Sequence, residues 1–231
     1  MNDLRGFGAA APGSAGVPSA REAMTEPDAH TLGSPAGETP ALPGAHRGWY
    51  SRGYLPHFDQ PGLIQMITFR LADAMPVERR RAWQQLLQVD DEVKRRARIE
   101  TYLDAGHGSC HLRDPRVARV VEQALLHFDG ERYRLFAWVV MPSHVHALIE
   151  PFGGNPLREI VHSWKSFTAK QADRILGRNG TFWQPDYFDR VVRNAEHVER
   201  ARAYIDENPV KAGLVQRAGD WPFGSARFAL E

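Results

Sequence analysis

The sequence predicts an α+β fold, in which one mostly antiparallel sheet is covered by helices. Short apolar runs rich in β-branched and aromatic residues alternate with longer segments in which charged residues surround an apolar stripe. Two of the apolar runs follow each other directly, separated only by Pro142 and Ser143, as the strands of an antiparallel pair do. The 231 residues, 42% of them hydrophobic and 25% charged, suffice for one core of ordinary composition.

The predicted elements begin near Trp49 and follow one another as strand, helices, two strands, helix, strand and helix. Asp114 as N-cap and Pro115 at the first helical position mark one helix start clearly, and Pro209 is expected to stop the last helix. The predicted strands are residues 62–73, 132–141, 144–151 and the short aromatic segment 182–193. The predicted helices are residues 77–105 (one long helix or two), 115–128, 156–176 and 195–208.

Residues 1–46 differ in composition from the rest of the chain. They are rich in Ala, Gly, Pro, Ser and Thr, and no aromatic residue follows Phe7 among them. Such a segment buries too little apolar surface to offset its conformational entropy. We therefore predict a disordered tail over 1–46 and one domain over 47–231.

Several classes of protein are excluded or disfavoured by composition. The single cysteine, Cys110, permits neither an intrachain disulfide nor a cysteine zinc cluster, which fits a reducing, cytoplasmic setting. No apolar run is long enough to cross a membrane, and the N-terminus lacks the apolar core of a secretory signal. The net charge is only +1, but the tail is acidic, so the remainder is modestly basic and compatible with nucleic acid.

Two histidines interrupt an otherwise buried strand in the stretch AWVVMPSHVHALIEP, residues 137–151. His144 and His146 stand two positions apart, so they project from the same face of a strand. Two neighbouring imidazoles are costly to bury without partners, and a metal ion is a partner for both. Two surface or hydrogen-bonded histidines are the alternative from this pattern alone.

A second unusual stretch is ARAYIDENPVKAGLV, residues 201–215. Tyr204 and Asn208 are four positions apart, so they share one face of a helix. A phenol oxygen can act as a nucleophile when it is activated, and an amide carbonyl can ligate a hard cation. Alternatively, Tyr204 packs in a core and Asn208 only ends the helix before Pro209.

The stretches AWVVMPSHVHALIEP, TFWQPDYFDRVVR and YIDENPVKAGLV occur here in that order. Together they resemble the REP-associated tyrosine transposases, a branch of the single-tyrosine HUH, or IS200-like, transposases, over about residues 50–228. The resemblance implies the ferredoxin-like or RRM-like HUH nuclease fold. It also implies that His144 and His146 bind a divalent metal, that Tyr204 attacks DNA and that Asn208 completes the metal site. The family commonly has Asn where this chain has Ser143, a turn position at which both residue types serve.

The implied activity is cleavage and rejoining of single-stranded or hairpin DNA through a 5′-phosphotyrosine, hence DNA transposition. The resemblance implies Mg²⁺ or Mn²⁺ as cofactor, whereas imidazole ligands by themselves favour zinc or another transition metal, which makes Mn²⁺ the easier fit. The implied setting is cytoplasmic and nucleoid-associated, and the protein is expected to be a monomer or homodimer without a membrane partner.

Basic residues interleaved with aromatic ones are typical of single-stranded DNA binding, because they pair with phosphates and stack on bases. A solvated charged surface over a core aromatic cluster is the alternative reading of the same residues. The candidate DNA-binding residues are Lys165, Lys170, Trp183, Arg190 and Arg193.

Two other functions stay open from the sequence. One is a domesticated relative that binds DNA hairpins without cutting them, although binding alone has no need of a phenol beside metal ligands. The other is a zinc hydrolase, for which Glu150 would be the nearest carboxylate base. Glu150 lies on the face of the histidines but about 13 Å along the strand from His146.

Overall fold

The computed structural model describes residues 45–51, 56–74 and 106–228, together with helical positions at 94, 98 and 101. All of them belong to one compact unit, Ala41–Glu231. The predictions for 1–46 and 77–105 fall almost wholly outside these residues. His46, inside the predicted tail, hydrogen-bonds through Nδ1 to Asp59 at 2.8 Å. No helix in the described part of the chain is long and apolar enough to cross a membrane.

A four-stranded antiparallel sheet forms the centre of the molecule. Its strands are β3 (Gln65–Arg70), β4 (Tyr133–Val140), β5 (His144–Pro151) and β6 (Phe188–Val191), and the helices are α1 (Pro115–Leu126), α2 (Leu157–Leu176) and α3 (Ala195–Lys211). The spatial order of the strands is β4-β5-β3-β6, so β3 pairs with β5 and β6, and β4 pairs with β5. With α1 between β3 and β4 and α2 between β5 and β6, this is ferredoxin-like connectivity, as expected.

Helices cover both faces of the sheet, and the two faces present different side chains to them. One face, which carries Ile67, Phe69 and Val145, packs against α1 and α2 in the main core. In that core the Tyr133 hydroxyl donates to the carbonyl of Leu125 at 2.6 Å, and Trp164 Nε1 donates to the Tyr133 oxygen at 3.0 Å. The other face contacts α3 through a smaller cluster around Ala137, Val139, Met141, Leu148 and Ile205.

Side chains cap the starts of two helices, and the cap of α1 is the predicted one. The Asp114 side chain accepts a hydrogen bond from the backbone N–H of Arg116, and Pro115 opens α1. The Asn194 side chain accepts from the backbone N–H of His197 at the start of α3.

The predicted end of the last helix is wrong by three residues, since α3 continues through Pro209 to Lys211. Pro209 is buried and lies in the last turn, where only one intrahelical donor is lost. The carbonyls of Asn208 and Pro209 accept from Ala212 and Leu214, which closes the helix end.

A second, two-stranded sheet was not predicted. Its strands, β1 (Gly48–Ser51) and β2 (Pro56–Asp59), pair antiparallel. The fully buried His57 of β2 is hydrogen-bonded to two carboxylates, Asp189 through Nδ1 and Asp186 through Nε2. Burial alone lowers the pKa of His57, but the hydrogen bonds and charges of the two aspartates outweigh it and raise the pKa to about 9. His57 is therefore an imidazolium at neutral pH and holds the hairpin against β6.

Candidate active site

The two histidines stand at the start of β5, immediately after the Pro142–Ser143 turn. His144 and His146 are each 1% exposed, and their ring centroids lie 4.8 Å apart. Leu148, two residues further along the same face, contacts the cluster under α3. The side chains of the pair therefore project from one face of the strand, as the sequence spacing predicts, and that face points towards α3 and away from the main core.

A hydroxyl group holds each imidazole through its Nδ1 atom. Thr68, the cross-strand neighbour of His146 on β3, places its Oγ1 2.7 Å from Nδ1 of His146. Ser143 places its Oγ 3.2 Å from Nδ1 of His144. When Nδ1 carries the proton in such a contact, Nε2 presents its lone pair, which is how histidine ligands are oriented in metal sites. Nε2 of His146 is buried and has no hydrogen-bond partner among the described residues.

Both imidazoles are neutral at physiological pH. Burial lowers the pKa of His146 to about 3. Burial also lowers the pKa of His144 well below its ordinary value, and electrostatic interactions with His146 and Arg70 lower it further. Only the neutral imidazole can donate a lone pair to a cation, so the pair is held in the protonation state that metal binding requires.

Helix α3 brings Tyr204 to the histidine pair. The Tyr204 ring lies edge-on to the His146 ring, with their centroids 5.5 Å apart, and the tyrosine is half-buried. The Lys211 Nζ lies 4.8 Å from the centroid of the Tyr204 ring. This is a cation–π contact, which places a positive charge beside the tyrosine ring.

Asn208 is fully buried one turn after Tyr204 on the same face of α3. Its Oδ1 and Nδ2 atoms have no hydrogen-bond partner in the described part of the chain. A buried amide with no partner is unfavourable, and a cation at Oδ1 would relieve this cost. The described residues contain no group of three His, Cys, Asp or Glu that could hold a metal ion. Besides the two imidazoles, the Asn208 amide oxygen is a buried group on this side of the sheet that could act as a donor to a cation.

Two further residues on this face of the sheet are Arg70 and Phe188. Arg70 is the cross-strand neighbour of His144, and its side chain is buried. Its guanidinium carbon lies 5.4 Å from the centroid of the Phe188 ring. Phe188 is itself the cross-strand neighbour of Thr68 on β6.

Sequence reasoning missed Thr68, Arg70 and Lys211. The signal for the first two was present, because polar Thr68 and Arg70 alternate with apolar Ile67 and Phe69 along β3 and so mark one polar face. The only sequence signal that Lys211 would lie near Tyr204 was its position two turns later on the same helix.

The predicted DNA-binding residues are divided between the two sides of the sheet. Lys165 and Lys170 lie on α2, across the sheet from the histidines, and Lys165 Nζ donates to the carbonyl of Pro185 at 2.7 Å. Arg190, exposed on β6, is the cross-strand neighbour of Met66 and so points to the histidine face. Arg193 is exposed just after β6.

Trp183 is a core residue in the structure. It is 4% exposed, its Nε1 donates to Thr168 Oγ1 at 2.9 Å, and its ring lies 4.8 Å from that of Phe69. The expectation that a base stacks on Trp183 is at odds with this packing, because the ring is covered on the side of α2. The alternative reading, a core aromatic residue beneath a charged surface, describes it correctly.

Glu150, the carboxylate that a zinc hydrolase would need, stands at the far end of β5. It faces Arg134 on β4, with Arg134 Nη1 3.7 Å from its Oε2. The structure therefore offers no support for Glu150 as a base beside the histidines.

Known proteins are similar to this chain over much of the described region. Residues 114–208 match the family described as Transposase IS200 like. A REP-associated tyrosine transposase of Escherichia coli (strain K12) is 29% identical over 108 residues, which are 46% of this chain and 63% of the relative. A putative REP-associated tyrosine transposase of Haemophilus influenzae is 25% identical over 103 residues, 40% of this chain and 58% of the relative.

Among solved structures, that of a REP-associated tyrosine transposase bound to a REP hairpin is similar, with a TM-score of 0.47 and 20% identity. The alignment covers 74% of this chain and 81% of that one. The chain spans less than two thirds of the length of the two curated relatives. Residues 114–208, which contain the histidine pair, Tyr204 and Asn208, are thus similar to the IS200-like transposases, and the resemblance to the REP-associated tyrosine transposases is confirmed.

Proposed function

We propose that this protein is a tyrosine transposase that cleaves and rejoins single-stranded DNA, with Tyr204 as the nucleophile. The observation that carries the proposal is the position of the Tyr204 ring, 5.5 Å from the buried His146 ring and one helical turn from the buried amide of Asn208. A tyrosine, two neutral imidazoles and an amide on one protected surface are the parts that phosphoryl transfer to a phenol needs.

The reaction exchanges one phosphate ester for another. The Tyr204 oxygen loses its proton and forms a bond to phosphorus, the bond from phosphorus to the 3′ oxygen breaks, and the 3′ oxygen takes up a proton in turn. The products are a free 3′-hydroxyl and a 5′-phosphate attached to Tyr204. The phosphotyrosine retains the free energy of the broken ester, so a second 3′-hydroxyl can reverse the step without ATP.

His144, His146 and Asn208 are proposed to hold a divalent cation, Mg²⁺ or Mn²⁺. Bound there, the cation would withdraw charge from the phosphate oxygens and orient the group for attack. The mixed nitrogen and oxygen donor set makes Mn²⁺ the easier fit of the two. Thr68 and Ser143 contribute by fixing the two rings, so that no rotation of an imidazole is needed when the ion binds.

Lys211 is proposed to help Tyr204 reach its reactive state. A phenol ordinarily ionises near pH 10, so only a small fraction is phenolate at neutral pH. The ammonium group 4.8 Å from the ring centroid stabilises the negative charge that develops on the phenol as it attacks.

The substrate is proposed to be single-stranded DNA that folds into a hairpin, as the family resemblance implies. Arg190 and Arg193 lie on or next to the strand that borders the histidine face, and their exposed positive charges suit a phosphate backbone. Lys165 and Lys170 would contact only DNA that passes to the α2 side of the sheet.

The test is the Tyr204→Phe variant, mixed with labelled hairpin DNA and Mn²⁺ and analysed on a denaturing gel. The variant removes one oxygen and keeps the ring, so the fold should be retained. We expect a protease-sensitive, slowly migrating DNA band with the unmodified protein and none with Tyr204→Phe. Tyr187→Phe is the matched control, since the Tyr187 hydroxyl is buried against that of Tyr50 at 2.8 Å; it should keep the band.

Three outcomes separate the proposal from its rivals. A band that persists in Tyr204→Phe and disappears in Tyr187→Phe would move the nucleophile to Tyr187. A band that depends on Tyr204 but not on added divalent metal would reject the metal part only. No band from any protein, with hairpin binding intact, would favour a domesticated binder that does not cut.

A further inference from the structure

We propose that Arg70 is a phosphate-binding residue of this site, and that its guanidinium contacts the phosphate that Tyr204 attacks. The inference rests on the proposed function and adds a residue that neither the histidine motif nor the tyrosine motif contains. The observation behind it is a buried cation on the face of the sheet that carries the histidine pair.

The position of Arg70 follows from the register of β3 and β5. Arg70 pairs directly with His144, as Thr68 pairs with His146, so all four side chains project from one face. The 2.7 Å contact between Thr68 and His146 shows that side chains on this face meet across the two strands. A phosphate held at the histidine pair would therefore lie within reach of the long Arg70 side chain.

The chemistry of the group fits a phosphate oxygen. A guanidinium is planar, remains charged at every relevant pH and can donate two parallel hydrogen bonds to one phosphate. The Phe188 ring, 5.4 Å from the guanidinium carbon, restricts where the group can lie. A positioned cation costs little reorganisation when negative charge develops on the phosphate oxygens in the transition state.

Burial makes this arginine different from the exposed ones nearby. Arg70 is 4% exposed, whereas Arg190 and Arg193 are exposed. A charge in a protected site interacts more strongly with a phosphate than one on the surface, where solvent and salt screen it. We therefore assign to Arg70 a contact with one phosphate near the bond that breaks, and to the exposed arginines a general attraction for the strand.

The experiment compares Arg70→Lys and Arg70→Gln with the control Arg119→Gln, which removes an exposed arginine from α1 on the opposite side of the sheet. Covalent adduct formation is measured at increasing DNA concentration to separate kcat from KM. We expect Arg70→Gln to lower kcat/KM roughly 10- to 100-fold, the loss of one charged hydrogen-bonded contact, with Arg70→Lys between it and the unmodified protein. Arg119→Gln should leave both constants unchanged.

A binding measurement separates a phosphate contact from a merely structural role. Proteins that also carry Tyr204→Phe, kept in EDTA, are titrated with hairpins in which single phosphates are replaced, one at a time, by neutral methylphosphonates. We expect Arg70→Gln to weaken binding to the unmodified hairpin, and one methylphosphonate position to weaken the Arg70 protein but not the Arg70→Gln protein. In the Arg70 protein that position should be the cleaved linkage or its immediate neighbour.

The outcomes distinguish this inference from the proposed function. Equal sensitivity to methylphosphonate at every position in the Arg70 and Arg70→Gln proteins would overturn the phosphate contact, whether or not the protein cleaves DNA. If Arg70→Gln does not fold, the same titration with Arg70→Lys decides, and an unchanged methylphosphonate profile together with unchanged kcat would reject the inference. Absence of any adduct in the unmodified protein would instead remove the proposed cleavage and leave the binding result to stand alone.

Discussion

Two buried histidines of this protein, one in the β1–β2 hairpin and one in β5, are held in opposite protonation states. His57 and His146 are exposed by at most 1%, yet the pKa of the first is raised to about 9 and that of the second is lowered to about 3. His57 contacts two carboxylates, whereas His146 contacts a threonine hydroxyl. Burial alone disfavours the imidazolium in both places, so the partners decide the outcome.

The difference in protonation separates a structural histidine from a candidate ligand. As an imidazolium, His57 has no lone pair to offer and joins the β1–β2 hairpin to Asp186 and Asp189. His146 is neutral and has its Nε2 buried without a hydrogen-bond partner among the described residues, which is the state a metal ligand needs. Removing each histidine should therefore damage a different property of the protein.

The largest effect is expected from His146→Ala. Loss of one ligand from a three-ligand site should lower Mn²⁺ affinity and adduct formation by about 100-fold or more. Calorimetric titration with Mn²⁺ and the denaturing-gel assay measure the two quantities. The control is His127→Ala on the exposed end of α1, which should change neither. Full Mn²⁺ affinity in His146→Ala would show that the pair is not a metal site.

A smaller and different effect is expected from His57→Gln. Removing one partner of a buried ion pair typically costs about 3–5 kcal/mol of folding free energy, because the remaining charges stay buried. Urea unfolding measures this loss, and Mn²⁺ affinity should remain that of the unmodified protein. If His57→Gln had normal stability but impaired Mn²⁺ binding, His57 would be a metal ligand and not a structural residue.

The pH dependence of stability follows from the raised pKa of His57. The folded protein holds its proton more tightly than the unfolded chain, so the contribution is complete below about pH 6.5 and is lost as pH rises towards 9. The groups facing His57 are Asp186, Asp189, Tyr50 and Tyr187. The decline in unfolding free energy between these pH values should be present in the unmodified protein and largely absent in His57→Gln.

The smallest effect is expected from Lys211→Gln, which removes the cation beside the Tyr204 ring. If this charge stabilises the negative charge that develops on the phenol oxygen during attack, its removal should slow adduct formation roughly tenfold without changing Mn²⁺ affinity. Arg119→Gln on α1 is the control, because this exposed arginine lies across the sheet from Tyr204. An unchanged rate of adduct formation in Lys211→Gln would exclude a role of this charge in the attack.

The parts of this fold that could be predicted are those encoded by local pattern. The strands around His144, the capping of α1 by Asp114 and the shared face of Tyr204 and Asn208 all follow from spacing along one element. That α3 covers the face of the histidines follows from no local pattern, and the family resemblance alone anticipated it.

What could not be predicted depends on contacts between distant segments. The β1–β2 hairpin is held by His57 contacts with residues more than 120 positions away, for which no local sequence signal exists. In the sequence Trp183 belongs to a segment of mixed aromatic and basic residues typical of DNA binding, yet it is covered because Thr168 and Phe69 contact it from other elements. The orientation of His146 likewise depends on Thr68, whose importance appears only in the register between β3 and β5.

The role of Tyr204 as nucleophile is tested most directly by identifying the amino acid that becomes attached to DNA. The protein is incubated with hairpin DNA and Mn²⁺, the adduct is digested with nuclease and protease, and the peptide that carries the nucleotide is sequenced by mass spectrometry. We expect one modified residue, Tyr204, joined to a 5′-phosphate. Attachment at Tyr187 or another residue, or through a 3′-phosphate, would contradict it.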